Sequence, residues 1–114
     1  MNITDVISAQ ARAQPHAVAL LTAARAIGYA ELVERFTHLA SALAAQGVQA
    51  GERVAVRLPN GPLHVLTVLA LARLGAVAMP LHPQRPAAQL QPLLVRHGVT
   101  RTLGLRPAHA IEGS

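Results

Sequence analysis

Two short apolar runs, residues 53–58 and 76–79, flank an almost uncharged segment over residues 62–74, and only a few residues join them. Parallel strands cannot be joined by a tight hairpin; they need a crossover, usually a helix. Strand, helix and strand in this order therefore predict a right-handed βαβ unit. That constrains the chain to an α/β fold layered around a mostly parallel sheet. Pro59-Asn60-Gly61 punctuates the first joint, where Asn60 is expected to cap the helix, and Gly75 closes it. The helix is apolar nearly all round, so it is expected to be buried.

The remaining elements attach to this unit. Thr4 is expected to cap a first helix, with Asp5 in its first turn, running to about Gln14 before Pro15 stops it. Residues 17–21 form a short apolar run between breakers and read as a strand. After a small turn, Tyr29, Leu32, Phe36, Leu39, Ala40 and Leu43 recur at helical spacing through Gln46, and Gly47 sits where a left-handed cap is wanted. Pro80 and Pro83 break the chain, and Pro86 opens a helix ending near His97 with Gly98 beyond it. Pro92 inside that helix removes the bond to Ala88 and is expected to cost about 3 kcal/mol or kink it. Residues 99–104 read as a weak last strand, interrupted by Thr100, Arg101 and Thr102. From Leu105 onward nothing is periodic, so residues 105–114 read as a loose tail.

Composition narrows the function classes. Hydrophobic residues make up 52% of 114, enough for a core and too many for a disordered tail. The net charge of +5 and the absence of Lys mean that all ten basic residues are Arg. They fall at 12, 25, 35, 53, 57, 73, 85, 96, 101 and 106, too evenly for the clustered patch that a nucleic-acid surface needs, and only one Tyr and one Phe could stack on bases. Zero Cys excludes disulfides, thiolate catalysis and Cys-ligated zinc. The most apolar stretch, residues 65–81, is split by Arg73 and falls short of the roughly 20 residues of a membrane span. The first residues lack the basic region of a secretory signal, so a cytoplasmic location is expected.

No catalytic constellation emerges. The six His residues, at 16, 38, 64, 82, 97 and 109, include no pair at helical ligand spacing, so each reads as a surface or helix-end residue and no metal site is expected. Ser8, Ser41 and Ser114 lie in no nucleophile elbow, and Asp5 is the only Asp. Glu31 and Glu34 sit one turn apart on the outer side of a helix, solvated and expected to pair with Arg35 or a similar neighbour. Gly-x-Gly-x-x-Gly and Walker patterns are missing. Asn60-Gly61 is the one place suited to an anion, because open α/β sheets bind ligands at the carboxyl ends of their strands. The plainer reading of Asn60 is a helix cap.

The order of several landmarks resembles the start of the adenylate-forming (AMP-dependent synthetase and ligase) family. They are Tyr29-Ala-Glu-Leu-Val-Glu-Arg-Phe, the helix continuing through Gly47-Val48, and Ala50-Gly-Glu-Arg-Val-Ala-Val with Glu52 in place of the usual Asp. Leu58-Pro-Asn-Gly, Ala72-Arg-Leu-Gly-Ala and Met79-Pro-Leu-His-Pro follow in the family's order and spacing, over roughly residues 3–104. Gly28 stands where the family usually has a capping Thr, and Pro92 is a second departure. Asn60 and the Met79-Pro-Leu-His-Pro turn are more similar to acyl- or aryl-CoA ligases than to peptide-synthetase adenylation domains. Gln84, with Arg85 one step later, occupies the position where some CoA ligases carry a basic residue near the CoA phosphate.

The resemblance implies that residues 1–104 are an incomplete N-terminal AMP-binding-type domain. It also implies that the intact enzyme uses ATP, Mg and CoA to turn a carboxylic acid into an acyl-adenylate and then a thioester. The family's phosphate loop, its ribose-binding Asp and its catalytic Lys have no counterpart among these residues. No catalytic, cofactor-binding or metal residue is therefore assigned, and the chain alone is expected to be inactive. Its expected partner is the rest of the ligase or a companion subunit. The alternative is a stand-alone, non-catalytic α/β module that assembles with a partner chain, because the apolar helix at 62–74 needs cover on both sides.

Overall fold

The computed structural model describes residues 2–105 and 111–113. In chain order these form α1 (Ile3–Ala13), β1 (Val18–Leu21), β2 (Ala26–Gly28), α2 (Tyr29–Ala45), β3 (Arg53–Arg57), α3 (Pro62–Arg73), β4 (Val77–Pro80), α4 (Ala87–Arg96), β5 (Arg101–Leu105) and β6 (Ile111–Gly113). The main sheet runs β4-β3-β5-β6, and β1 and β2 form a separate antiparallel pair. β3 is parallel to both β4 and β5, with Ala55 opposite Met79 on one side and Thr102 on the other. The expected βαβ unit is thus the centre of the fold.

Burial follows from strand alternation. Val54 and Val56 of β3, with Leu103 of β5, pack against Ala40 and Leu43 of α2 and Ala70 and Leu71 of α3. A second cluster, Ile27, Leu32 and Phe36, joins α2 to α1, the β1–β2 hairpin and the outer side of α3. Phe36 is fully buried at its centre. α3 buries Thr67, Ala70 and Leu71, whereas Leu63 stays exposed, so the expectation of all-round burial holds on one face only. The sheet and α2 cover that face. The Thr67 hydroxyl avoids an unpaired polar group by donating to the Leu63 carbonyl at 2.7 Å.

The caps differ from the sequence reading in two places. α1 starts earlier than expected, with Asn2 rather than Thr4 as its cap. The Asn2 Oδ1 accepts from both the Thr4 amide and the Thr4 hydroxyl at 2.9 Å, and Thr4 is buried. At α3, Pro62 takes the first helical position, so the cap position falls on Gly61, which has no side chain to offer. Asn60 lies one residue too early to reach the free amides. Gly28 caps α2 without a side chain, as its identity dictates. Backbone substitutes for it: Tyr29 and Ala30 donate to the carbonyls of Ala17 and Pro15 at 3.0 Å each. The same approach leaves little room for a side chain, since a Cβ on Gly28 would lie 3.2 Å from the Pro15 carbonyl.

Three further features complete the comparison with the sequence. The turn before Tyr29 contains strand β2, because the Thr22 hydroxyl accepts from the Ala24 and Arg25 amides and folds the chain back onto β1. α4 runs unbroken through Pro92, with Leu90 its most buried described side chain and Val95 74% exposed. The final segment, expected as a loose tail, places Ile111–Gly113 antiparallel against Leu103–Leu105. An open strand edge pairs through main-chain groups, which leave no periodic trace in sequence. Residues 106–110 and 114, including Arg106, His109 and Ser114, lie outside the described residues.

At the start of α2, Glu31 receives two hydrogen bonds from Arg25, one of 2.7 Å, and one from Arg35 Nε at 2.7 Å. The Arg25 contact does most to hold the Glu31 carboxyl down, at about 2; partial desolvation opposes it, and Arg35 adds to it. A carboxyl with a lowered folded pKa contributes its stability fully above the unfolded value, and that contribution is lost as pH falls towards the folded one. Stability in low salt should therefore fall between pH 4.5 and about 2, and Glu31→Gln should flatten that slope, leaving the share that Glu52 contributes. A Glu31 midpoint near 4.5 by NMR titration would contradict the pairing. In the core, Phe36→Ala should cost about 3–5 kcal/mol by urea unfolding, through lost transfer energy and the cavity left behind. Leu21→Ala, at a position 76% exposed, should change little.

Candidate functional site

The carboxyl ends of β3 and β4 open into a groove of about 420 Å³, lined by Leu58, Pro59, Asn60, His64 and the turn Pro80 to Gln84. Its floor is fixed by backbone: the Leu81 amide donates to the Val56 carbonyl at 2.8 Å, extending the β3–β4 ladder by one bond. Alternation along β3 puts Val54 and Val56 on the helix-packed face and Arg57 on the other. From there Arg57 Nη2 donates to the Pro83 carbonyl at 3.0 Å and ties the turn to the strand. The Gln84 amide donates to His82 Nδ1 at 3.1 Å, and His64 Nδ1 lies 3.3 Å from the Leu58 carbonyl. Arg57 Nε and Arg85 Nε are buried with no hydrogen-bond partner among the described residues.

Asn60 and Gly61 therefore stand where the sequence places them, at the lip of the groove before α3, with Asn60 exposed and uncommitted to the helix. The other residues singled out from sequence do not converge. His64 and His82 line the groove, while His16, His38 and His97 lie elsewhere, and no metal-holding group of His, Asp and Glu occurs among the described residues. Ser8 and Asp5 line a separate cleft of about 490 Å³ with Arg12 and Arg73, with no histidine beside them. Glu31 pairs with Arg25 and Arg35, as a solvated helix face should.

Sequence reasoning missed a polar hub at the opposite end of the sheet. Glu52 accepts from the Thr100 hydroxyl at 2.8 Å, from Arg101 Nε at 3.1 Å and from the Gln49 amide at 3.1 Å. Burial pushes the Glu52 carboxyl up, but these donors together bring it below its usual value. Arg101 also donates to the Gln46 carbonyl at 3.1 Å, so the hub joins the end of α2 to β3 and β5. Arg101 reads in sequence as an interruption of a strand; its partner, 49 positions away, leaves no local signal.

The chain has no Lys to close a phosphate loop, and its one Asp lies near the start of α1. What the groove offers is a neutral-to-basic ledge at the strand ends, shaped by the 80–84 turn.

Comparison with known proteins gives this ledge its setting. The family model described as AMP-binding enzyme matches residues 7–112. The chain is similar to a feruloyl-CoA synthase of Amycolatopsis sp, at 39% identity over 101 residues covering 89% of this chain. It is also similar to the medium/long-chain fatty acid–acyl-carrier-protein ligase FadD10 of Mycobacterium tuberculosis, at 42% over 91 residues covering 78% of it. The chain spans 20% of the length of the first and 17% of the second. Among solved structures, the N-terminal subdomain of Klebsiella oxytoca NpsA superposes with a TM-score of 0.84 at 27% identity, over 90% of this chain and 27% of that one. A fatty acyl-CoA synthetase of Mycobacterium tuberculosis gives 0.83 at 26%, over 90% and 21%. The chain belongs to the AMP-binding, adenylate-forming enzyme family and corresponds to its N-terminal segment.

Proposed function

We propose that this chain is the N-terminal scaffold portion of an ATP-dependent carboxylic acid–CoA ligase and carries none of the catalytic groups itself. The observation behind this is the family match over residues 7–112 in a sequence that has no Lys. The role left to it is structural. It supplies three parallel strands of a larger sheet and holds the groove turn at their carboxyl ends for chemistry performed by residues outside this segment. ATP, Mg and CoA belong to that intact enzyme, and its location is cytoplasmic. No helix among the described residues is long and apolar enough to cross a membrane. The ferulate and fatty-acid names of its relatives support a carboxylic acid substrate, aryl or acyl.

The test is ATP–pyrophosphate exchange over a panel of aryl and acyl carboxylates. The chain alone should show none above background. A chimera in which it replaces the matching segment of a feruloyl-CoA synthase should retain exchange. Exchange by the isolated chain at the rate of an intact ligase, or a folded chimera with none, would overturn the proposal.

A further inference from the structure

The chain contains two asparagines, Asn2 and Asn60, and their settings are opposite. Asn2 is followed by the branched Ile3, and both ends of its amide are engaged: Oδ1 by the Thr4 amide and hydroxyl, Nδ2 by the Ala72 carbonyl. Asn60 is followed by Gly61, both residues are exposed, and the Asn60 amide has no hydrogen-bond partner among the described residues. The Gly61 amide donates to no described acceptor either. With no Cβ on Gly61, nothing screens that nitrogen from the neighbouring side-chain carbonyl.

We infer that Asn60-Gly61 is a site of spontaneous, self-catalysed deamidation. The Gly61 backbone nitrogen, once it has given its proton to solvent base, attacks Asn60 Cγ. A Cγ–N bond forms, the Cγ–Nδ2 bond breaks, and ammonia leaves with a proton from water. Water then opens the five-membered imide at either carbonyl, giving an aspartyl or an isoaspartyl residue at position 60. No oxidant or reductant takes part. Either product adds a carboxylate to the groove lip, in a pocket wall that otherwise carries only His64 and His82 as titratable side chains. The isoaspartyl form also inserts an extra backbone methylene at the β3–α3 joint, directly before Gly61, which holds the cap position of α3. The groove lip would thus gain one negative charge with the age of the molecule, without an enzyme.

The experiment is ageing of the folded full chain in mildly alkaline buffer, followed by trypsin digestion and mass spectrometry. Cleavage at Arg12, Arg57 and Arg73 places the two asparagines on separate peptides, 1–12 and 58–73, so each sample carries its own reference. The expected result is an amide-to-acid mass gain confined to 58–73, faster at higher pH and labelled by an isoaspartyl methyltransferase. Asn60→Gln, whose six-membered imide closes far more slowly, should abolish the gain without disturbing the backbone. Gly61→Ala should slow it by screening the nitrogen, although Gly61 has a φ of +154° that strains any other residue. The Gln variant therefore decides. Peptide 58–73 unchanged in the folded chain while the urea-unfolded chain converts, or equal gain on peptide 1–12, would overturn the inference.

Discussion

The main sheet and its principal core are arranged around one strand. β3 is hydrogen-bonded on both edges, and Val54, Ala55 and Val56 are fully buried. A strand in that position must be apolar on both faces and short enough to be covered, and the sequence Val-Ala-Val meets both demands. Its neighbours inherit their placement from it. α3 crosses from β3 to β4 and buries Ala70 and Leu71 against the face that α2 also covers. Nothing comparable anchors α4, whose main buried contribution is Leu90.

The two ends of β3 are used differently. At its start, Glu52 and Arg101 form a partly buried ion pair that locks the end of α2 to β5. Such a pair is held by several donors at once, so it specifies geometry more than it adds stability. At the other end, Arg57 holds the Pro83 carbonyl and the ladder continues one bond beyond the strand to Leu81. The shape of the groove is therefore tied to the strand end. That is the feature a ligase could build upon, with its nucleotide chemistry supplied elsewhere in the chain.

Much of this was legible in the sequence because it rests on local rules. Gly47 and Gly75 terminate α2 and α3 with φ of +99° and +76°, as their positions after long helical patterns predict. The helical stripe Leu32, Phe36, Ala40 and Leu43 is the buried face of α2. The parallel strands around α3 follow from connection length alone. What escaped has non-local or backbone causes. β2 is a three-residue strand created by a threonine turn, and β6 pairs through main-chain groups. Asn60 was displaced from its expected capping role by Pro62, one position beyond the glycine. The loss of a capping side chain at Gly28 is offset by carbonyls from Pro15 and Ala17, which no reading of nearby residues reveals. At the candidate site, the placing of Asn60 was foreseeable, but the Arg57 tie spans 26 positions; at the other end of the sheet, the Glu52–Arg101 pair spans 49.

The claim that β3 carries the fold can be measured directly by native-state amide hydrogen exchange on the chain. The account predicts the slowest exchange in the amides of Arg53–Arg57, intermediate protection in α2 and α3, and the fastest helix exchange in α4. Amides of β3 that exchange as fast as those of α4 would contradict it, and the scaffold would have to be organised around some other element.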